Sequence, residues 1–321
     1  MRYRRQKMED LGKGDEREKP SLRRRRRGVR ALPTLFTLGN CLCGFASLYY
    51  ASRMAQPGSV GQVPSDHAIA GYFLFAAMLF DMFDGFVARL TKSASTFGAE
   101  LDSLADMVSF GVAPAFLALN VIDTTLRGQD KGYWEFVGPN AVNPIGKLFW
   151  VIGAIYVACT ALRLARFNVK AQLDEGSHMV FQGMPSPGAA GVVAASIIFF
   201  ETLNLSADQH RIWFNVAKPL QESLKIVFAY SLPGILLVSA LLMVSGFAYT
   251  HLINRFLRGR KRFRDVVFLF LLVMLLVWQP QITTLATIYL YAVSAPFMAV
   301  YRKVFPKAGA VATPPASSGR P

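Results

Sequence analysis

Runs of about 20 mostly apolar residues alternate with short polar connections along most of the chain, and about that length is needed for a helix to cross a bilayer. On this criterion the pattern predicts eight spans, over residues 32–54, 68–90, 99–121, 146–166, 184–204, 226–248, 264–279 and 282–302. Little more than "WQPQ" separates the last two, and Pro280 there suits either a tight hairpin or one long broken segment. The expected fold class is an all-α polytopic membrane protein. No soluble domain is left between the spans, and no internal repeat recurs.

Composition agrees with the pattern. Hydrophobic residues make up 53% of the 321 and charged ones 17%, with a mean hydropathy of +0.32, too apolar for an ordinary soluble surface. The three cysteines, Cys41, Cys43 and Cys159, all fall in apolar stretches, which suits packing rather than disulfides or a metal site.

Charge adds an orientation. The formal charge of +15 is densest in the first 30 residues, where Arg23 to Arg27 run unbroken. A basic run ahead of a first span is the signal of a cytoplasmic terminus, and it also attracts anionic head groups, so no nucleic-acid partner is expected. Residues 1–30 read as a basic disordered tail and residues 304–321 as a second disordered tail, rich in Pro and small residues. With the N-terminus inside, the cytoplasmic connections are 91–98, 167–183 and 249–263, the last carrying "RFLRGRKRFR". Both termini then lie in the cytoplasm.

Against this background the stretch "DMFDGFVARLTKSASTFGAELDSLAD", residues 81 to 106, is out of place. Asp81, Asp84, Gly85 and Ala88 make one stripe on the second span, and Gly98, Asp102 and Asp106 repeat at steps of four on the third. Each acid within a span costs at least about 2.5 kcal/mol even on the lenient insertion scale. Two neighbouring antiparallel helices would gather four carboxylates beside a clearing made by residues with little or no side chain. Such a group needs cations, and oxygen ligation points to magnesium, manganese or calcium rather than zinc or copper. Two such ions sharing carboxylates would suit a diphosphate substrate, and Arg89 stands where a guanidinium could add phosphate contacts. Asp81 lies eight residues before Arg89, about 12 Å along a helix, so the site is expected to open toward the cytoplasm.

These residues resemble the complete signature of the CDP-alcohol phosphotransferases: Asp81, Asp84-Gly85, Ala88-Arg89, Gly98, Asp102 and Asp106, at every fixed spacing. The resemblance implies a six-helix catalytic core, placed here over residues 31–248, usually in a homodimer, with a basic loop and two additional spans over 249–303. It implies transfer of a phosphoryl-linked group from a CDP-alcohol to an acceptor hydroxyl, with release of CMP. It further implies that Asp81, Asp84 and Asp102 bind metal and that Asp106 acts as general base and as a further ligand. Gly85, Ala88, Arg89 and Gly98 would line the CDP pocket.

The acceptor must be read elsewhere. "LPTLFTLGNCLCGFASL", "ALRLARFNV" and "FQGMPSPGAAG", in that order, resemble the integral-membrane phosphatidylserine synthases. That likeness implies CDP-diacylglycerol and L-serine as substrates, in phospholipid biosynthesis at the inner membrane. Arg163, Arg166, Asn168, Ser186 and Asn40 are the candidates for holding acceptor or diphosphate. The alternatives are another acceptor, such as glycerol phosphate, inositol phosphate or choline, or an ion-coupled transporter, whose broken helices and inverted repeat are not in the pattern. His67, His178, His210 and His251 read as interfacial, and Trp134, Trp150, Trp213 and Trp278 as interface belts.

Overall fold

A computed structural model describes residues 20–53, 65–91, 96–127, 136–173, 183–209, 218–247, 249 and 263–304. The helices are α1 (Pro20–Arg53), α2 (Asp66–Thr91), α3 (Thr96–Asp106), α4 (Ala113–Arg127), α5 (Pro144–Leu173), α6 (Ser186–Gln209), α7 (Lys218–Val244), α8 (Phe263–Trp278) and α9 (Pro280–Val304). A π-helical segment, Met107–Val112, joins α3 to α4 without a break, so each of the eight predicted spans is one helical stretch. Among the described residues there is no β-strand, and five stretches are long and apolar enough to cross a membrane: 66–88, 96–127, 144–169, 223–244 and 280–301. The protein is an all-α polytopic membrane protein.

Two expectations change and one alternative is decided. The tail was expected to run to residue 30, yet α1 begins at Pro20 and carries the arginine run. Proline is favoured in a first helical turn and arginine is a good helix former, so the first span extends beyond its apolar part. The break at Pro280 is sharp. The Thr283 hydroxyl donates to the Leu275 carbonyl at 3.0 Å, whereas eight residues of unbroken helix would separate them by about 12 Å. Helices α8 and α9 meet around that corner, and α9 packs on α6. Finally, α2 and α3 do not lie along each other. Helix α1 packs extensively on α2 and also against α3, the π segment and α4, so it bridges the pair.

The sequence of α1 explains that bridging role. Thr37, Asn40, Gly44, Ser47 and Ala51 are buried, while Leu35, Leu38, Leu42, Phe45 and Tyr49 are exposed; both sets follow helical spacing. The polar and small face turns inward and the large apolar face outward, as suits a helix surrounded by lipid. At the centre, α6 buries Ala189, Ala190 and every residue from Val192 to Ile198, a run that packs against α2, α7 and α9.

Gly44 marks the closest approach of α1 to the π segment. A Cβ there would stand 2.8 Å from the Ser109 Cα, a backbone atom that cannot swing aside. Gly44→Val is therefore expected to destabilise the protein by about 1–3 kcal/mol, the usual cost of overpacking, read as a lower thermal midpoint in detergent. An unchanged midpoint would mean that α1 is free to move off the π segment.

Candidate active site at an acidic cleft

The backbone of helix α2 approaches the π segment and α4 more closely than it approaches α3, so the pair opens toward the end that carries the acids. Asp81, Asp102 and Asp106 face one another across this opening, each offering an oxygen within 4.8 Å of the others. Asp84 is buried beside them, within electrostatic reach of Asp102 and Asp81 and next to Thr37 of α1. The structure thus brings all four acids to one cleft, with three in the closest group.

The cleft has a floor and a far wall. Asn40 is fully buried on α1, and its Nδ2 donates to Asp106 Oδ1 at 3.1 Å. The Ser109 hydroxyl, on the π segment, donates to the Asn40 backbone carbonyl at 2.9 Å. Arg163 of α5 lies within electrostatic reach of Asp106 and Asp81, and its Nη1 donates to the Ser186 Oγ at 2.7 Å. Ser186 has no exposed surface, so its hydroxyl orients the guanidinium rather than meeting solvent.

The loop before Ser186 is held by its backbone. Gly183 takes φ +88°, a left-handed conformation that suits glycine, and its N–H donates to the Phe247 carbonyl at 2.8 Å. Met184 N–H donates to the Leu242 carbonyl at 2.9 Å, which ties the start of α6 to the end of α7. The "GMPSP" string therefore works as a brace behind Arg163.

Other sequence candidates are placed differently. Asn168 exchanges hydrogen bonds with Ser103, its Nδ2 donating to Oγ at 2.9 Å, so it ties α5 to α3 beside the cleft. Arg166 is exposed, as an interfacial anchor would be. Ala88 and Gly98 sit on α2 and α3 in register with the acids, and the side chain of Arg89 lies outside the described residues. His67 is corrected: it is buried, not interfacial, and its Nδ1 pairs with Glu201 Oε1 at 3.1 Å between α2 and α6. The pair lies about 21 Å along α2 from Asp81, toward the opposite end. His178, His210, His251, Trp134 and Trp213 lie outside the described residues, while Trp150 and Trp278 are exposed.

Two features had no sequence signal. The π segment begins directly after Asp106, and the Phe110 carbonyl accepts a hydrogen bond from the buried Tyr156 hydroxyl at 3.1 Å. Such widened turns recur at functional sites because they redirect the residues around them. Tyr291 of α9, from the last span, also reaches the site, within electrostatic reach of Arg163 and against Gly188.

The acids fit cations. Asp84 Oδ2 and Asp102 Oδ1 are buried and have no hydrogen-bond partner, a costly state for carboxylate oxygens unless positive charge faces them. The donor set is all oxygen, which suits a hard divalent ion. Gly85 fits a ligand in another way. A Cβ built on it would meet nothing within 4 Å, so packing does not require glycine at that position. Gly85→Val is expected to leave the thermal midpoint nearly unchanged while raising KM for the cleft's substrate about tenfold or more. Unchanged kinetics would show that this side of α2 faces no ligand.

Comparison with known proteins gives a consistent picture. The chain is 32% identical over 166 residues to the CDP-diacylglycerol–serine O-phosphatidyltransferase of Helicobacter pylori, covering 52% of this chain and 56% of that one. It is 36% identical over 163 residues to the Saccharomyces cerevisiae protein of the same name, covering 49% and 50%. The Bacillus subtilis protein of that name is 32% identical over 159 residues, covering 49% and 70%. The chain thus spans about half the length of the first two relatives. The family model described as CDP-alcohol phosphatidyltransferase matches residues 30–308, from the arginine-bearing helix through the last span. That match takes in both acid-bearing helices and all of the cleft's walls, and the chain belongs to the CDP-alcohol phosphatidyltransferase family.

Proposed function

We propose that the protein transfers the phosphatidyl group of CDP-diacylglycerol to the hydroxyl of L-serine, giving phosphatidylserine and CMP. The observation that carries the reaction class is the meeting of Asp81, Asp102 and Asp106 within 4.8 Å across an open cleft. Support for serine comes from the names of the relatives and from the modest number of cations among the described residues of the cleft. A phosphorylated acceptor would call for a second basic pocket.

Asp81, Asp84 and Asp102 would hold two divalent cations, magnesium or manganese, with Asp106 as a further ligand. Among the described residues, four carboxylates stand near the guanidinium of Arg163, an excess of negative charge that two such ions would offset. When bound, the ions would clamp the diphosphate oxygens and stabilise charge on the departing CMP. Gly85, Ala88, Arg89 and Gly98 would admit the CDP group. Arg163, held by Ser186, would orient the diphosphate or the serine carboxylate through its fork of donors, with Arg166 and Asn168 at the margin.

Asp106 accepts the proton of the serine hydroxyl as that oxygen bonds to the phosphorus bearing diacylglycerol. The bond from this phosphorus to the bridging oxygen of CMP breaks in the same displacement. A carboxylate beside cations is a weak base, so its contribution is position more than proton affinity.

In the same reading the cleft opens to the cytoplasm at the inner membrane, both termini lie on that side, and the chain forms a homodimer. Arg163 and Arg166 stand toward the cleft end of α5, which supports the orientation. The test is purified protein with CDP-diacylglycerol, manganese or magnesium, and a panel of labelled acceptors. Serine-dependent CMP release with labelled phosphatidylserine is expected. Release with glycerol phosphate, inositol phosphate or choline but not serine would overturn the acceptor, and no release with any would overturn the enzyme.

A further inference from the structure

Asn40 has a second half that the cleft's own bonds do not use. Its Nδ2 faces Asp106, which fixes the amide orientation because a carboxylate oxygen accepts and does not donate. Its Oδ1 is consequently left as an acceptor, and that atom is buried with no hydrogen-bond partner. A buried amide oxygen without a donor carries its full desolvation penalty, so the arrangement is suited to a donor that arrives from outside the chain.

The place of that donor follows from covalent geometry. Oδ1 and Nδ2 share one amide carbon, so the unpartnered oxygen borders the same Asp106 carboxylate. The amide cannot drift, because the Ser109 hydroxyl holds the Asn40 carbonyl and the lack of a side chain at Gly44 lets α1 close on the π segment. A diphosphate offers no donor. The ribose and cytosine do, but it is the acceptor whose hydroxyl meets Asp106 in the proposed reaction, and serine carries its ammonium on the adjacent carbon.

We infer that Asn40 determines acceptor specificity, with its amide N–H holding Asp106 and its side-chain oxygen receiving an N–H or O–H donor of the acceptor substrate. The inference rests on the phosphatidyl transfer proposed above. One residue thereby sets the distance between the base and the acceptor's second polar group.

The test compares wild type with Asn40→Leu, which keeps the volume and removes both amide functions. KM for serine is expected to rise about tenfold or more, the effect of losing one buried hydrogen bond to a charged donor. KM for CDP-diacylglycerol and manganese affinity, followed by electron paramagnetic resonance titration, should stay within about twofold. Thermal stabilisation by CDP-diacylglycerol reports that the variant is folded; if it is not, Asn40→Ser, which is smaller and polar, takes its place. An unchanged serine KM overturns the inference. A rise in KM for CDP-diacylglycerol alone would assign the oxygen to the nucleotide, and a fall in manganese affinity alone would assign it to the cation; either result overturns it too. Wild type that uses a different alcohol would overturn the serine reading only, and the same KM comparison with that alcohol then decides Asn40. Wild type that releases CMP with no acceptor overturns both.

Discussion

Asp106→Asn is expected to cut CMP release by about 10²- to 10⁴-fold, the usual range for losing a positioned general base, while CDP-diacylglycerol still binds. The substitution preserves size, and its side-chain oxygen can still accept the hydrogen bond that Asn40 Nδ2 gives to Asp106 Oδ1. What is lost is the ability to take a proton at that position. Turnover in detergent and thermal stabilisation by CDP-diacylglycerol separate the two effects. If binding falls as far as turnover, Asp106 is an essential metal ligand first and a base second.

Asp81→Asn is expected to move activity and stability in opposite directions. Its carboxylate meets Asp102 and Asp106 within 4.8 Å, so removing it should abolish manganese binding and lower turnover by about 10³-fold or more. In chelator, however, the variant should melt above wild type, because a cluster of like charges in a poorly solvated cleft opposes folding. Thermal midpoints with and without manganese, beside turnover, give the answer. A lower midpoint in chelator would mean that Asp81 is held by compensating contacts, and that the cluster is not a store of repulsion.

Much of this was legible in the chain. Span length alone located the eight helical stretches, because a bilayer imposes one length on every crossing. The stripes of Asp81, Asp84 and Gly85, and of Asp102 and Asp106, were legible because helical periodicity is local. Periodicity says nothing about which helix stands between two others, so the bridging by α1, and the cleft it leaves between α2 and α3, came only with the fold. The same limit hid the pairing of Arg163 with Ser186, of Asn168 with Ser103, and of His67 with Glu201, which are 134 residues apart. In each case the side chain's polarity was plain and its partner was not. Residues 20–30 misled in the opposite direction: a charged, apolar-poor stretch suggested a tail, although nothing in its residues prevents a helix from growing back from the span.

The π segment after Asp106 also changes how the third span can vary. A π turn takes more residues than an α turn, so it offsets the acid-bearing face of α3 from the face of α4 that buries Leu117, Val121 and Ile122. The span is continuous, but its two halves answer to different constraints. The first is fitted to a ligand and the second to its neighbouring helices. Loss of one residue within 107–112 would rephase one half against the other, whereas the same loss in a connecting loop would be absorbed. For this span, length is as much a part of the site as the carboxylates are.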